Sequence, residues 1–312
     1  MEQRKKPSVN NSASIEASLI RVPLRPNFSV DGTLTATSAF PSLAQIRKSI
    51  TNFKNLEGDN MDLQLQGKTA LVTGATKGIG RAIIELLSDE GCNIAFCARN
   101  GDEVASTKDA ISAKGVKVCG EIVDVMDGDA YKSFVDQAAN ELGGLNILVS
   151  NVSGGNAAGD QGWINQFNGN ILTAVHGVEA ATPHMEKSGD GSIIMISTTA
   201  ALEKFMNAGP YNAMKAGLIQ YAGALAHELA PKGIRVNTVS PGPIMIEGGS
   251  WDMIKKNMAA LYDSTVASIP LGRMGSADEV AAQVALLASP RAGFTSGTNV
   301  VIDGSFTQRI QF

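Results

Sequence analysis

From Met61 onward, short apolar runs alternate with longer amphipathic stretches. The runs lie at Thr69–Thr73, Asn93–Ala98, Val116–Val123, Asn146–Asn151, Ser192–Ser197, Ile234–Val239 and Asn299–Asp303. Helical periodicity occupies about 80–90, 102–114, 128–142, 163–187, 211–231 and 276–288. Strands that are apolar almost throughout, rather than at every second position, belong to a sheet covered on both faces. Their alternation with helices predicts right-handed crossovers. The expected fold is therefore α/β: a doubly wound, seven-stranded parallel sheet of Rossmann type with helices on both sides, forming one domain over 61–312. Residues 1–60 break the pattern. They are rich in Ser, Asn and Thr, carry Pro7, Pro23, Pro26 and Pro41, and show no sustained period. A disordered or weakly ordered extension is expected there, with a short helix near Ser42–Phe53.

Composition narrows the function classes. The net charge is −4, so no global field favours nucleic acid. It is unevenly spread, with 8 Lys/Arg against 5 Asp/Glu in residues 1–60 and 18 against 25 in the rest. No run approaches the ~18 apolar residues of a membrane span. Cys92, Cys97 and Cys119 form no C-x-x-C pair and read as buried thiols of a reducing, cytoplasmic compartment. The basic, Ser-rich start leaves an organelle transit peptide as the alternative, beside a dispensable extension or a start codon placed too early. His176, His184 and His227 lack ligand spacing, so no metal is expected.

The first strand runs into Thr73-Gly74-Ala75-Thr76-Lys77-Gly78-Ile79-Gly80, and a helix follows. Gly74 permits the turn out of the strand, Gly78 the approach of backbone to a phosphate, and Gly80 close packing of helix on sheet. The helix N-terminus then faces a pyrophosphate. The end of the second strand offers Ala98 and Arg99 instead of the carboxylate that accepts from an NAD ribose. A guanidinium there, with Lys77 nearby, suits a 2′-phosphate, so the cofactor is expected to be NADP(H). Asp124-Val125 ends the third strand, where a carboxylate can accept from the adenine amino group, and Asn151 ends the fourth. Tyr211 and Lys215 stand four apart in a helical run, on one face. A free phenol titrates near about 10, and bringing it to about 7 takes roughly 4 kcal/mol, which a lysine and a nicotinamide cation together can supply.

With these motifs in this order, residues 61–312 resemble the short-chain dehydrogenase/reductase family. The likeness is to its single-domain branch and, within it, to 3-oxoacyl-carrier-protein reductases and related ketoreductases. The resemblance implies that Tyr211 protonates a carbonyl oxygen as hydride arrives from the nicotinamide. It gives Lys215 the nicotinamide ribose and the lowering of the Tyr211 pKa, and gives Asn170 a water and a proton path. The loop Pro241-Gly242-Pro243-Ile244 would place the nicotinamide, with the Ile244 backbone at its carboxamide. Thr198 stands at the family's serine position and keeps the hydroxyl. Ser197 should point to the opposite sheet face. Asn151-Val152-Ser153-Gly154 departs from the family's Asn-Ala-Gly, Met245-Ile246 replaces a frequent threonine, and Asp303-Gly304-Ser305 departs from Asp-Gly-Gly. Residues 245–269 are expected to form a Met-rich lid hinged at Gly248-Gly249, over an apolar or aromatic ketone. The family also implies a homodimer or homotetramer. The expected activity is NADP(H)-dependent reduction of a ketone or 3-oxoacyl carbonyl. Its rivals are an NADP-linked alcohol dehydrogenase and a catalytically weak NADP-binding regulatory protein.

Overall fold

The computed structural model describes residues 61–155, 157–205 and 208–310. The chain divides into two units, Met1–Asp59 and Asn60–Phe312, and the second holds every described residue. The expectations for residues 1–60 lie outside the described residues.

The element order is β1 (Thr69–Thr73), α1 (Gly78–Asp89), β2 (Asn93–Ala98), α2 (Gly101–Ser112), β3 (Val118–Ile122), α3 (Gly128–Leu142) and β4 (Ile147–Ser150). Next come α4 (Gly159–Gln166), a π-helical segment (Phe167–Leu172), α5 (Thr173–Ser188), β5 (Gly191–Ile196), a short 3-10 turn (Thr199–Ala201), α6 (Pro210–Leu229) and β6 (Ile234–Pro241). The chain closes with β7 (Ile244–Met245), α7 (Ser250–Asn257), α8 (Ala259–Ser268), β8 (Gly275–Ser276), α9 (Ala277–Ala288) and β9 (Asn299–Ile302). Seven strands pair in parallel in the order β3-β2-β1-β4-β5-β6-β9, while β7 and β8 form a separate two-stranded ribbon. The strand order reverses between β1 and β4. In an open parallel sheet, that crevice at the carboxyl ends is where ligands bind.

Side chains of successive strand residues point to opposite faces, so each buried strand feeds two cores. Leu71, Cys97, Leu148, Ile193 and Met195 pack with α3, α5 and α6 through Tyr131, Phe134 and Leu218. Val72, Phe96, Val149, Ile194 and Ile196 pack on the other face with α1 and α9 through Ile83, Ile84, Val280 and Val284. Each such side chain, fully buried, stabilises the fold by roughly 1.5–3 kcal/mol. Local signals set the helix starts. Asn100 and Asp127 cap α2 and α3, and Ser276 with Glu279 forms a capping box at α9, its carboxylate also held by Arg273 at 2.6 and 2.9 Å.

Two expectations are refined. The helix over 163–187 is present as an unbroken helical run from α4 through α5, with one π-helical stretch in its middle. The physical cause is a close backbone crossing: a Cβ on Gly169 would stand 2.5 Å from the Gly154 Cα, so the loop after β4 presses against the helix at its wide turn. The third strand is shorter than Val116–Val123 at both ends.

Candidate active site

Gly74 and Gly78 take φ of +64° and +59°, backbone that only glycine adopts without strain. A Cβ on Gly80 would meet the Gly74 carbonyl at 2.5 Å and the Asn151 amide at 2.7 Å, so this glycine lets α1 close on the turn. No side chain caps α1. Its first N–H groups remain available to an anion.

Around this turn the candidate residues divide by what they touch. Asn151 donates through Nδ2 to the carbonyls of Thr73 (3.0 Å) and Gly74 (3.4 Å), and its own N–H reaches the Thr73 hydroxyl. Its side chain therefore holds the glycine turn in shape. Val125 is buried among the α3-side core. Asp124 is exposed; Oδ1 accepts from the Met126 N–H. Arg99 is exposed and makes no ion pair among the described residues. Lys77 is paired with Glu103, 3.2 Å away, whose second oxygen accepts from Thr76 at 2.8 Å. The sequence reading missed Glu103, because its partners lie 26 and 27 residues away and meet it only in the fold. On the far side, Gly242 donates to the Ile302 carbonyl at 2.8 Å, and its missing Cβ leaves room for Asp303. Pro241 and Ile244 are buried beside it. The Ile246 side chain reaches across to within 3.4 Å of where a Gly78 Cβ would be.

The second group lies beyond the ends of β5 and α6. Thr198 follows β5 in extended backbone. Its hydroxyl accepts from the Ala200 N–H at 3.3 Å and favours the ionised form of the Tyr211 phenol. Ser197 faces the other way, donating to the Lys215 carbonyl at 2.9 Å. Its hydroxyl is committed to the helix, which leaves Thr198 as the one facing Tyr211. Pro210 opens α6, Tyr211 follows, and Lys215 sits one turn on. Lys215 is only 3% exposed and donates through Nζ to the Ile196 carbonyl at 2.7 Å.

Desolvation acts on both groups, on the Tyr211 phenol at its tip, since the residue as a whole is 38% exposed, and on Lys215 throughout. It pushes the Tyr211 phenol up, with the Thr198 hydroxyl working against it. It pulls Lys215 down to about 7.

Asn170 lies inside the π-helical segment, 1% exposed. Its Nδ2 donates to the Gln166 backbone carbonyl at 2.9 Å and to Gln166 Oε1 at 2.5 Å, while Oδ1 has no partner. An acceptor left bare in a buried place is the natural seat of a bridging water. Gln166 also escaped the sequence reading. It is buried, donates to the Gly155 carbonyl and accepts from Ser153, so it ties the loop after β4 to Asn170.

Phe205 packs against Trp251 of α7 at 6.2 Å and against Phe306 at 5.9 Å, edge on. A cleft of about 300 Å³ opens beside them, lined by Thr199, Glu203, Phe205, Ser268, Phe306 and Gln308. The region expected to form a lid is two helices. Nothing in α7 is buried, and in α8 only Thr265 is. Met253 and Met258 are 58% and 54% exposed, so core packing does not account for them.

A family model described as enoyl-(acyl-carrier-protein) reductase matches residues 74–307. Isoepoxydon dehydrogenase of Penicillium expansum is 35% identical over 257 residues, covering 80% of this chain and 98% of that protein. Among solved structures, L-sorbose reductase of Gluconobacter frateurii, complexed with NADPH and L-sorbose, is 29% identical. It aligns with a TM-score of 0.74 over 80% of this chain and all (100%) of that one. A 7α-hydroxysteroid dehydrogenase complexed with NADH and a 7-oxo bile acid conjugate is 28% identical, with a TM-score of 0.74 over 81% of this chain and 100% of that one. The chain belongs to the short-chain dehydrogenase/reductase family of NAD(P)-dependent oxidoreductases.

The site's donors suit such a cofactor: an uncapped helix start and a glycine turn open to backbone approach. No helix among the described residues is long and apolar enough to cross a membrane. No cluster of three or more His, Cys, Asp or Glu among them could hold a metal ion.

Proposed function

We propose that the protein is an NADP(H)-dependent carbonyl reductase acting on an apolar or aromatic ketone. The observation that carries this reading is the placement of Thr198 just after β5 and of Tyr211 one turn before the buried Lys215 on α6. A bound nicotinamide would supply the hydride. The chain's own groups do the rest. Thr198 and Tyr211 donate to the carbonyl oxygen, and Tyr211 passes its proton to the oxygen as negative charge develops there. Lys215, held on the Ile196 carbonyl, is placed to hold the nicotinamide ribose and to return a proton to the phenol. Asn170, with its unpartnered Oδ1, would seat the water at the inner end of that path.

Arg99 and Lys77 support NADP(H) over NAD(H), since neither neighbouring position offers a carboxylate directly after β2. The fold leaves this choice to side chains, because relatives of the same shape are described with NADPH and with NADH. The Phe205, Trp251 and Phe306 rings and the exposed lid methionines support an apolar substrate. An alcohol-oxidising direction is the second reading, favoured by a 35% identical relative that is named a dehydrogenase. The three free, buried cysteines support a reducing, cytoplasmic setting, and the exposed Trp163, Ile164 and Phe167 support a homo-oligomer. The test is label transfer: with NADPH deuterated at the nicotinamide C4 and a panel of cyclic and aromatic ketones, deuterium should appear on the product carbinol carbon. Label transfer from NADH but not from NADPH would overturn the cofactor assignment, and transfer to no ketone would overturn the reaction.

A further inference from the structure

We propose that Glu103 is a counter-charge seated in the 2′-phosphate site, so that NADP(H) binds by displacing it. The chain's preference for the phosphorylated cofactor is then smaller than Lys77 and Arg99 alone would set. This inference rests on the NADP(H) reading above and concerns the same corner of the site.

The geometry is specific. Glu103 is the third residue of α2, and its N–H is fixed by the Asn100 side chain at 3.1 Å. From there the carboxylate reaches back to the glycine turn and uses both oxygens, Oε2 on the Thr76 hydroxyl at 2.8 Å and Oε1 on Lys77 Nζ at 3.2 Å. The turn and the helix belong to successive βα units, so the contact spans 26 and 27 residues. Of the three donor groups at this corner, Thr76 and Lys77 are taken, while Arg99 makes no ion pair among the described residues.

A phosphate monoester carries a charge of about −1.5 to −2 near neutral pH and only acceptor oxygens for its partners. An ionised carboxylate is likewise an acceptor only. The two therefore compete for the same donors, and if Glu103 stays it also faces the phosphate as a like charge. The ribose hydroxyl of NAD(H) is different, because it can donate to a carboxylate. Glu103 thus opposes one cofactor and not the other. A glutamine keeps the shape and an acceptor for Thr76, removes the charge and adds a donor. At this exposed site the gain should be about three- to tenfold in affinity for the phosphate-bearing ligand, screened as salt rises.

The test uses the purified full chain and calorimetric titration with adenosine 2′,5′-bisphosphate and with 5′-AMP, ligands that differ in the 2′-phosphate alone. It compares wild type, Glu103→Gln, Glu103→Ala and Arg99→Asp. The ratio of the two affinities should rise about three- to tenfold in both Glu103 variants, with 5′-AMP binding about unchanged. An unchanged or lower ratio in a folded Glu103 variant would overturn the proposal and make Glu103 an orienting partner of Lys77. The NADP(H) reading is judged separately. It fails if wild type shows no preference for the bisphosphate and Arg99→Asp does not alter the ratio, whatever the Glu103 variants do.

Discussion

Burial raises the Tyr211 phenol and the Thr198 hydroxyl works against it, and the balance leaves the group protonated at neutral pH. Carbonyl reduction consumes that proton, whereas alcohol oxidation needs it removed first. Reduction should therefore be nearly flat from about pH 6 to 8, while oxidation should climb with pH; a pH–rate profile in both directions checks this. Thr198→Ser keeps the hydroxyl and should retain activity within a few-fold, whereas Thr198→Ala should cost about 10²-fold in kcat, as loss of one hydrogen-bond donor to a developing oxyanion does. Lys215 makes a prediction about stability. Its pKa falls from 10.5 to about 7 on folding. Below about 7 the folded and unfolded chains both carry the proton, and the fold bears the full cost of a buried ammonium. Between about 7 and 10.5 the unfolded chain holds a proton that the fold has released, so this group's contribution becomes more favourable as pH rises. In thermal melts, the Lys215→Met variant should be at its best relative to wild type near about pH 6 and lose ground toward about pH 10.

The π-helical segment between α4 and α5 is what turns Asn170 inward, and its wide turn accommodates the Gly154–Gly169 crossing. Gln166 joins these parts. Replacing it by leucine should leave Ser153 and the Gly155 carbonyl without their partner. The expected cost is about 1–3 kcal/mol of stability, seen as a fall of several degrees in melting temperature. It should also lower kcat more than it weakens NADP⁺ binding, because the glycine turn does not use Gln166; Gln166→Glu, which keeps the acceptor for Asn170, should recover part of kcat. The strands and most helices were legible in the sequence because their signals are local. Asn93–Ala98 and Thr69–Thr73 are apolar runs bounded by turn residues, and both appear with those ends. The π-helical stretch within the 163–187 helix was not legible, since it depends on a loop from elsewhere pressing on Gly169. Glu103 and Gln166 escaped for the same reason: their partners are side chains and carbonyls brought near only by the fold.

Across the whole molecule, the site draws on both ends of the domain. The glycine turn comes from its start, Tyr211 and Lys215 from its middle, and the Phe306 ring from its end. The order of these motifs was legible because the doubly wound topology places the carboxyl ends of all the strands on one edge. The apolar composition of residues 245–269 was visible in the sequence, but the Phe205–Trp251–Phe306 contact was not. Trp163, Ile164 and Phe167, 43–51% exposed, should lie between subunits, so sedimentation should give a dimer or larger. Trp163→Glu with Phe167→Glu should then shift the protein toward monomer. The central claim remains the proton delivered by Tyr211, and one comparison tests it most directly. NADPH oxidation by wild type and Tyr211→Phe should be measured with the best ketone of the panel, alongside the dissociation constant for NADP⁺. The account predicts a loss of about 10²- to 10⁴-fold in kcat with NADP⁺ binding kept, the range expected for removing a general acid. Turnover by Tyr211→Phe within a few-fold of wild type would contradict it.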